Sequence, residues 1–132
     1  MKDKIASSLE RINAEGYFLN HDGLFKTPME PNQISVSDCF QDNVMTLLLS
    51  IIPLIFKPSE RKSCNSYASK HIVEQWLSSR YISNGQLILA MMALGYKYKT
   101  IKGSPNVLFY GSWTEPAVYG VVKYPFEVKA LV

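Results

Sequence analysis

Between Gln86 and Leu94 the chain reads Gln-Leu-Ile-Leu-Ala-Met-Met-Ala-Leu, apolar on nearly every side of a helix. A helix without a polar stripe is stable in water only when other elements cover it all round. This segment must therefore lie inside, and whatever the molecule touches is met by its neighbours. Ser83 and Gln86, three apart ahead of the run, match a capping box. Gly95 is the natural stop behind it. A chain of 132 residues is one domain's length and long enough to enclose such a helix, so a single domain over 1–132 is expected. With 47% apolar and 19% charged residues, it does not have the composition of a disordered chain.

The remaining patterns predict the cover. Ile5, Leu9 and Ile12 make one stripe of a helix over 3–14, ended by Gly16. Tyr17-Phe18-Leu19 and Leu24-Phe25-Lys26 flank Asn20-His21-Asp22-Gly23, a tight-hairpin signal. Pro28 and Pro31 make 27–33 irregular. Val44–Phe56 is almost uninterruptedly apolar but falls short of the roughly 20 residues a membrane span needs. It reads as a central helix buried all round, capped by Ser37 or Asp38 and ended by Pro53 and Pro58. Residues 57–66, polar and basic, read as a linker within the domain. Ile72, Val73, Trp76, Leu77 and Tyr81 share one face of a helix over 69–81, with Lys70, Glu74 and Ser78 opposite. After Gly95, Tyr96–Lys102 alternates, Gly103-Ser104-Pro105-Asn106 turns, and Val107–Tyr110 continues as a strand. The aromatic and β-branched tail, 116–132, predicts further strands. N-terminal helices, a helix-turn-helix-like pair, a β-hairpin and C-terminal strands together predict an α+β fold, with a winged-helix-like arrangement as one form of it.

Charge is divided unevenly. Up to Phe56 there are four basic and seven acidic residues, and from Lys57 onward ten basic and four acidic. The C-terminal half thus offers a positive face to phosphate or to an acidic protein. In the winged-helix form, Ser83, Asn84 and Gln86 open the second helix, where Asn or Gln pairs with adenine, and Lys97, Lys99 and Lys102 meet phosphates. Against this, no Lys or Arg lies between Ile82 and Tyr96. A protein partner is the first expectation, met by Tyr96, Lys97, Tyr98, Lys99, Lys102 and Asn106 on the hairpin and by Trp113. Gly111–Pro116 reads as a loop, and Trp113 within it as either an exposed anchor or a lid over the sheet. DNA or RNA is the alternative partner. No apolar signal segment opens the chain, and Cys39 and Cys64 lack any scaffold spacing, which points to reduced thiols and the cytoplasm.

Two resemblances bear on function. Leu87, Ile88, Leu94, Gly95, Tyr96, Lys99, Lys102, Gly103 and Ser104 follow a pattern similar to the helix–strand–turn–strand of HicA-type mRNA interferase toxins. That family places its catalytic histidine after the Gly-Ser turn, where this chain has Pro105 and Asn106, neither of them a base near neutral pH. At most that resemblance implies an RNA-binding scaffold. Ser66-Tyr67, Lys70-His71, Glu74, Tyr81, Ser83-Asn84-Gly85, Gly95-Tyr96 and Pro105-Asn106 form a second pattern. On it, residues 67–110 resemble small uncharacterised phage- and plasmid-borne proteins. This second resemblance implies a mobile-element setting, in which small binding proteins regulate transcription or inhibit host defence complexes.

Signals for catalysis are thin. His71 and Glu74 lie one helical turn apart, but the matching carboxylates that a di-metal bundle requires are missing from the sequence. Two His and two Cys do not reach zinc-ligand spacing. Cys64, near Lys57, Arg61 and Lys62 and ahead of a helix, is the one candidate nucleophile, with a plain thiol as the simpler account. The expectation is a non-enzymatic binding protein with no catalytic residue, metal or cofactor. The sequence leaves oligomeric state open.

Overall fold

A computed structural model describes residues 2–26, 33–39 and 43–116 of the chain. The fold is α+β, with five helices and two antiparallel sheets among the described residues. The expected C-terminal strands fall almost wholly in 117–132, and most of the Pro28–Pro31 segment likewise lies outside the described residues.

Helix α1, Lys2–Ala14, buries Ile5, Leu9 and Ile12 on the stripe their spacing sets, and Gly16 follows at φ +89°. Strands β1, Phe18–Asn20, and β2, Gly23–Phe25, pair with Asn20 opposite Gly23, so His21 and Asp22 form the turn. The Asn20 side chain accepts from the Asp22 N–H at 2.8 Å and braces that turn. Helix α2, Val36–Cys39, is a single turn whose Asp38 N–H donates to Ser35 Oγ at 3.1 Å.

Helix α3, Val44–Ile55, corrects three expectations. It starts after Asn43, which is left-handed at φ 65°, so neither Ser37 nor Asp38 caps it. Pro53 lies inside it rather than ending it, because one missing N–H near a C-terminus costs a single bond. It buries Val44, Met45, Leu48, Ile51, Ile52 and Ile55 but leaves Leu54 56% exposed, so it is covered on one face only.

The linker-like residues are in fact strand β3, Phe56–Asn65. Strand order is β3-β5-β4, with β5, Val107–Trp113, in the centre and β4, Tyr98–Thr100, on the far edge. β3 buries little except Phe56, whose ring lies 4.9 Å from Tyr96 and 4.6 Å from Trp113. Pairing with the β5 backbone makes it a strand, and an exposed edge needs no apolar alternation. Its register breaks between Pro58 and Ser63, so the intervening residues bulge from the sheet. Gly111, at φ +157°, passes beneath Phe56. A Cβ there would lie 2.3 Å from the ring and 2.5 Å from the Lys57 carbonyl oxygen.

Helix α4, Ser66–Trp76, is capped by Asn65, which accepts from the Ala68 N–H. It stops earlier than the spacing predicts, where Ser78 and Ser79 take left-handed backbone. Lys70, expected on its solvent face, is buried, and Tyr81 is exposed. Helix α5, Asn84–Ala93, carries the predicted capping box, and all of its residues are buried. It packs against α1, α3, α4 and β2. Among the described residues no helix is long and apolar enough to cross a membrane.

Leu89→Ala, at a site with no exposure, is expected to lower unfolding free energy by about 2–5 kcal/mol. Leu54→Ala, on the open face of α3, should change it by less than about 0.5 kcal/mol. Chemical denaturation of both variants checks the assignment of inside and outside.

Candidate functional site

The start of α5 is roofed rather than open. The Gly85 N–H donates to the His21 carbonyl at 3.0 Å. A Cβ on Gly85 would lie 1.9 Å from the Asn20 carbonyl oxygen, so only glycine allows the β1–β2 turn this close to the helix. His21 Nδ1 lies 2.8 Å from Ser83 Oγ. Asn84 uses both N–H groups of its amide, on the Asp22 carbonyl at 3.0 Å and on Asn106 Oδ1 at 2.9 Å. Those two acceptors fix the amide's orientation. Asn84 Oδ1 is then buried with no hydrogen-bond partner, in a residue only 5% exposed. An unpaired buried carbonyl costs about 1–3 kcal/mol and is rare in folded proteins.

Beside this roof, α4 supplies a charged pair. Lys70 donates to Glu74 Oε2 at 3.0 Å and to the Ile82 carbonyl at 3.1 Å. Glu74 Oε2 also accepts from the Ile82 N–H at 3.0 Å, and Glu74 Oε1 lies 3.1 Å from His71 Nδ1. Partial burial pushes the Glu74 carboxyl up, but the Ile82 N–H, Lys70 and His71 outweigh it and hold the group below its ordinary 4.5. The ammonium of Lys70 stands 4.7 Å from the Tyr81 ring centre and 5.6 Å from that of Tyr67. Both rings are more than half exposed, at 69% and 52%. An ammonium has three donors, and Glu74 and Ile82 take two of those on Lys70. His21, Asp22, Tyr67, Lys70, Tyr81, Asn84, Pro105 and Asn106 enclose a cleft of about 380 Å³.

The sequence-predicted residues fare differently. Asn106 lines the cleft. Lys97, Lys99 and Lys102 are exposed. Trp113 is not an exposed anchor: it ends β5, is 9% exposed, and donates from its indole N–H to Ser69 Oγ at 2.8 Å. It closes over the sheet instead. Tyr96 packs edge-on to Phe56, and Tyr98 donates to Glu15 Oε1 at 3.1 Å with Arg11 over its ring. Burial raises the hydroxyl pKa of both, and for Tyr98 the Glu15 carboxylate adds to the rise. Ser83, Asn84 and Gln86 are 1%, 5% and 9% exposed beneath the β1–β2 turn. The second helix of the pair therefore does not present its N-terminus as a recognition helix.

Cys64 does not have the features of an activated nucleophile. Burial raises its pKa more than Lys62 lowers it, and Sγ contacts the Gly111 carbonyl at 3.6 Å. No disulfide joins Cys39 and Cys64. Among the described residues no group of His, Cys, Asp and Glu could hold a metal ion. His71 and Glu74 touch, but Glu74 is engaged by Lys70 and Ile82.

Sequence spacing alone missed Lys70, Tyr67, Tyr81, His21 and Asp22 as one site. A signal did exist. Most residues of the pattern that runs from Ser66-Tyr67 to Pro105-Asn106 line or brace this cleft, Gly95 and Tyr96 excepted. Compared with protein-family models, curated proteins and solved structures, the chain matches none.

Glu74→Gln leaves a nearly buried ammonium without its partner and is expected to destabilise the fold by about 3 kcal/mol. Lys70→Met with Glu74→Leu should recover much of that loss. Because folding depresses the Glu74 pKa, its contribution is present above about 4.5 and fades as pH falls through the lower folded value. Denaturation curves at stepped pH should show a shallower acid limb in the Gln variant.

Proposed function

We propose that this chain is a non-enzymatic binding protein of phage or plasmid type that acts by contact with a host protein, inhibiting a defence or regulatory complex. The contact is made at the tyrosine-walled cleft, not at the flank of the hairpin with Trp113. One observation carries this: Lys70, with one donor left over, stands at the cleft between two exposed tyrosine rings. A peptide carbonyl accepts from that donor while a neighbouring side chain packs on the rings. Tyr67 and Tyr81 add what protein interfaces favour, large exposed rings whose ordering has little entropic cost. A protein partner and the mobile-element setting agree with the resemblance over 67–110, and the cytoplasm with two thiols that no disulfide joins.

The test places benzoylphenylalanine at Tyr81, which keeps an aromatic ring at the rim, and irradiates cells expressing the full chain. A discrete protein adduct is expected, reduced about tenfold or more by Tyr67→Ala, because central aromatic contacts are each worth about 2 kcal/mol. An adduct insensitive to Tyr67→Ala, or one composed of nucleic acid, overturns the assignment. Substrate turnover by the purified protein would overturn its non-enzymatic part.

A further inference from the structure

The sheet has a second surface, independent of the cleft. Along β5 the buried residues alternate with Leu108, Tyr110 and Ser112, which therefore face outward. Opposite residues of antiparallel strands share a face, so Lys57, paired with Ser112, and Lys99, paired with Leu108, stand on that outer side. Lys97 joins them: its carbonyl accepts from the Tyr110 N–H, and its ammonium lies 5.3 Å from the Tyr110 ring centre. The bulge between Pro58 and Ser63 adds exposed Arg61 and Lys62 at the edge. Lys57 and Lys97 flank β5 from opposite sides, about 12 Å apart, and Lys97, just before β4, and Lys99 are about 7 Å apart along the chain. Among the described residues one carboxylate, Glu60, reaches this face and meets Lys97 at 3.5 Å.

We infer that this outer face binds single-stranded nucleic acid, with Lys57, Lys97 and Lys99 on phosphates and a base stacked on Tyr110. Charge complementarity decides the occupant: five cations against one carboxylate suit a polyanion. Lysine is depleted in protein interfaces, and the Trp113 indole, the expected protein anchor, is turned inward. Duplex DNA is a poorer fit, because α5, the helix that the winged-helix reading would send into a groove, is enclosed. A single strand needs instead a basic track and an aromatic platform, and the lysines on the two flanking strands with Tyr110 on β5 between them supply both. Glu60 and Lys97 are 86% and 66% exposed, so their ion pair is weak. Exchanging Glu60 for phosphate swings the Lys97 ammonium off the ring and opens it for stacking.

Fluorescence anisotropy of the full chain with labelled single-stranded RNA, the same sequence as single-stranded DNA, and duplex DNA provides the test. Binding to either or both single strands, tighter than to the duplex, is expected. Affinity should weaken about twentyfold from about 50 to 200 mM salt if three phosphates are held. Replacing Lys57, Lys97 and Lys99 together by Gln should abolish the salt dependence and most of the binding, with the melting temperature kept. Tyr110→Ala should weaken binding about tenfold, and Glu60→Gln should tighten it severalfold. Tyr81→Ala should change nothing here, so this result and that of the cleft are separable. Preference for duplex, unaltered binding by the triple variant, or equal displacement by polyglutamate with no Tyr110 dependence would each overturn the inference, the last in favour of an acidic protein.

Discussion

The enclosure of α5 governs the molecule. Every side chain from Asn84 to Ala93 is buried, and each large apolar one contributes about 1.5–3 kcal/mol by leaving water. That total far exceeds the roughly 1 kcal/mol from the Ser83–Gln86 capping box, which instead sets where the helix begins. The other elements are arranged by what they must cover. α1, α3 and α4 turn apolar stripes toward α5, and the β1–β2 hairpin closes the end that helices cannot reach.

Closing that end creates the cleft. A helix start roofed by a two-residue turn leaves polar groups to satisfy, and the Asn84 amide meets both of its donor needs, on Asp22 and Asn106, with Oδ1 left over. The Lys70–Glu74 pair plays a different part. A half-sealed ion pair is poor evidence of stability, since an apolar pair of similar size does as well. Its geometry ties the 77–83 connection back to α4 through Ile82, and that tie holds Tyr81 beside Tyr67.

The two surfaces arise from different physics. The cleft is concave, nearly neutral, and built from side chains far apart in sequence. The outer sheet face is open, basic, and built from strand alternation. Both arise because, among the described residues, helices cover one side of the sheet, and Leu108, Tyr110 and Ser112 of β5 face the other.

Where burial followed a local period, the sequence was legible: α1, the hairpin at His21-Asp22, the capping box, the enclosed α5 and the β4–β5 pair all follow from spacing. The β3 strand was not legible, because its pairing lies in the backbone of β5 and its own side chains face water. The side of Lys70 was not legible either. Helical spacing gives a residue's angle around the axis but not whether a carboxylate, a carbonyl and two rings wait there. Trp113 went inward for the same reason: its hydrogen-bond partner, Ser69, is 44 residues away in the chain. By itself, then, the sequence determined which helix must be enclosed, since an apolar circumference admits no other place. Tertiary structure alone decided which polar and aromatic groups meet at its end, since that meeting depends on contacts no local period encodes.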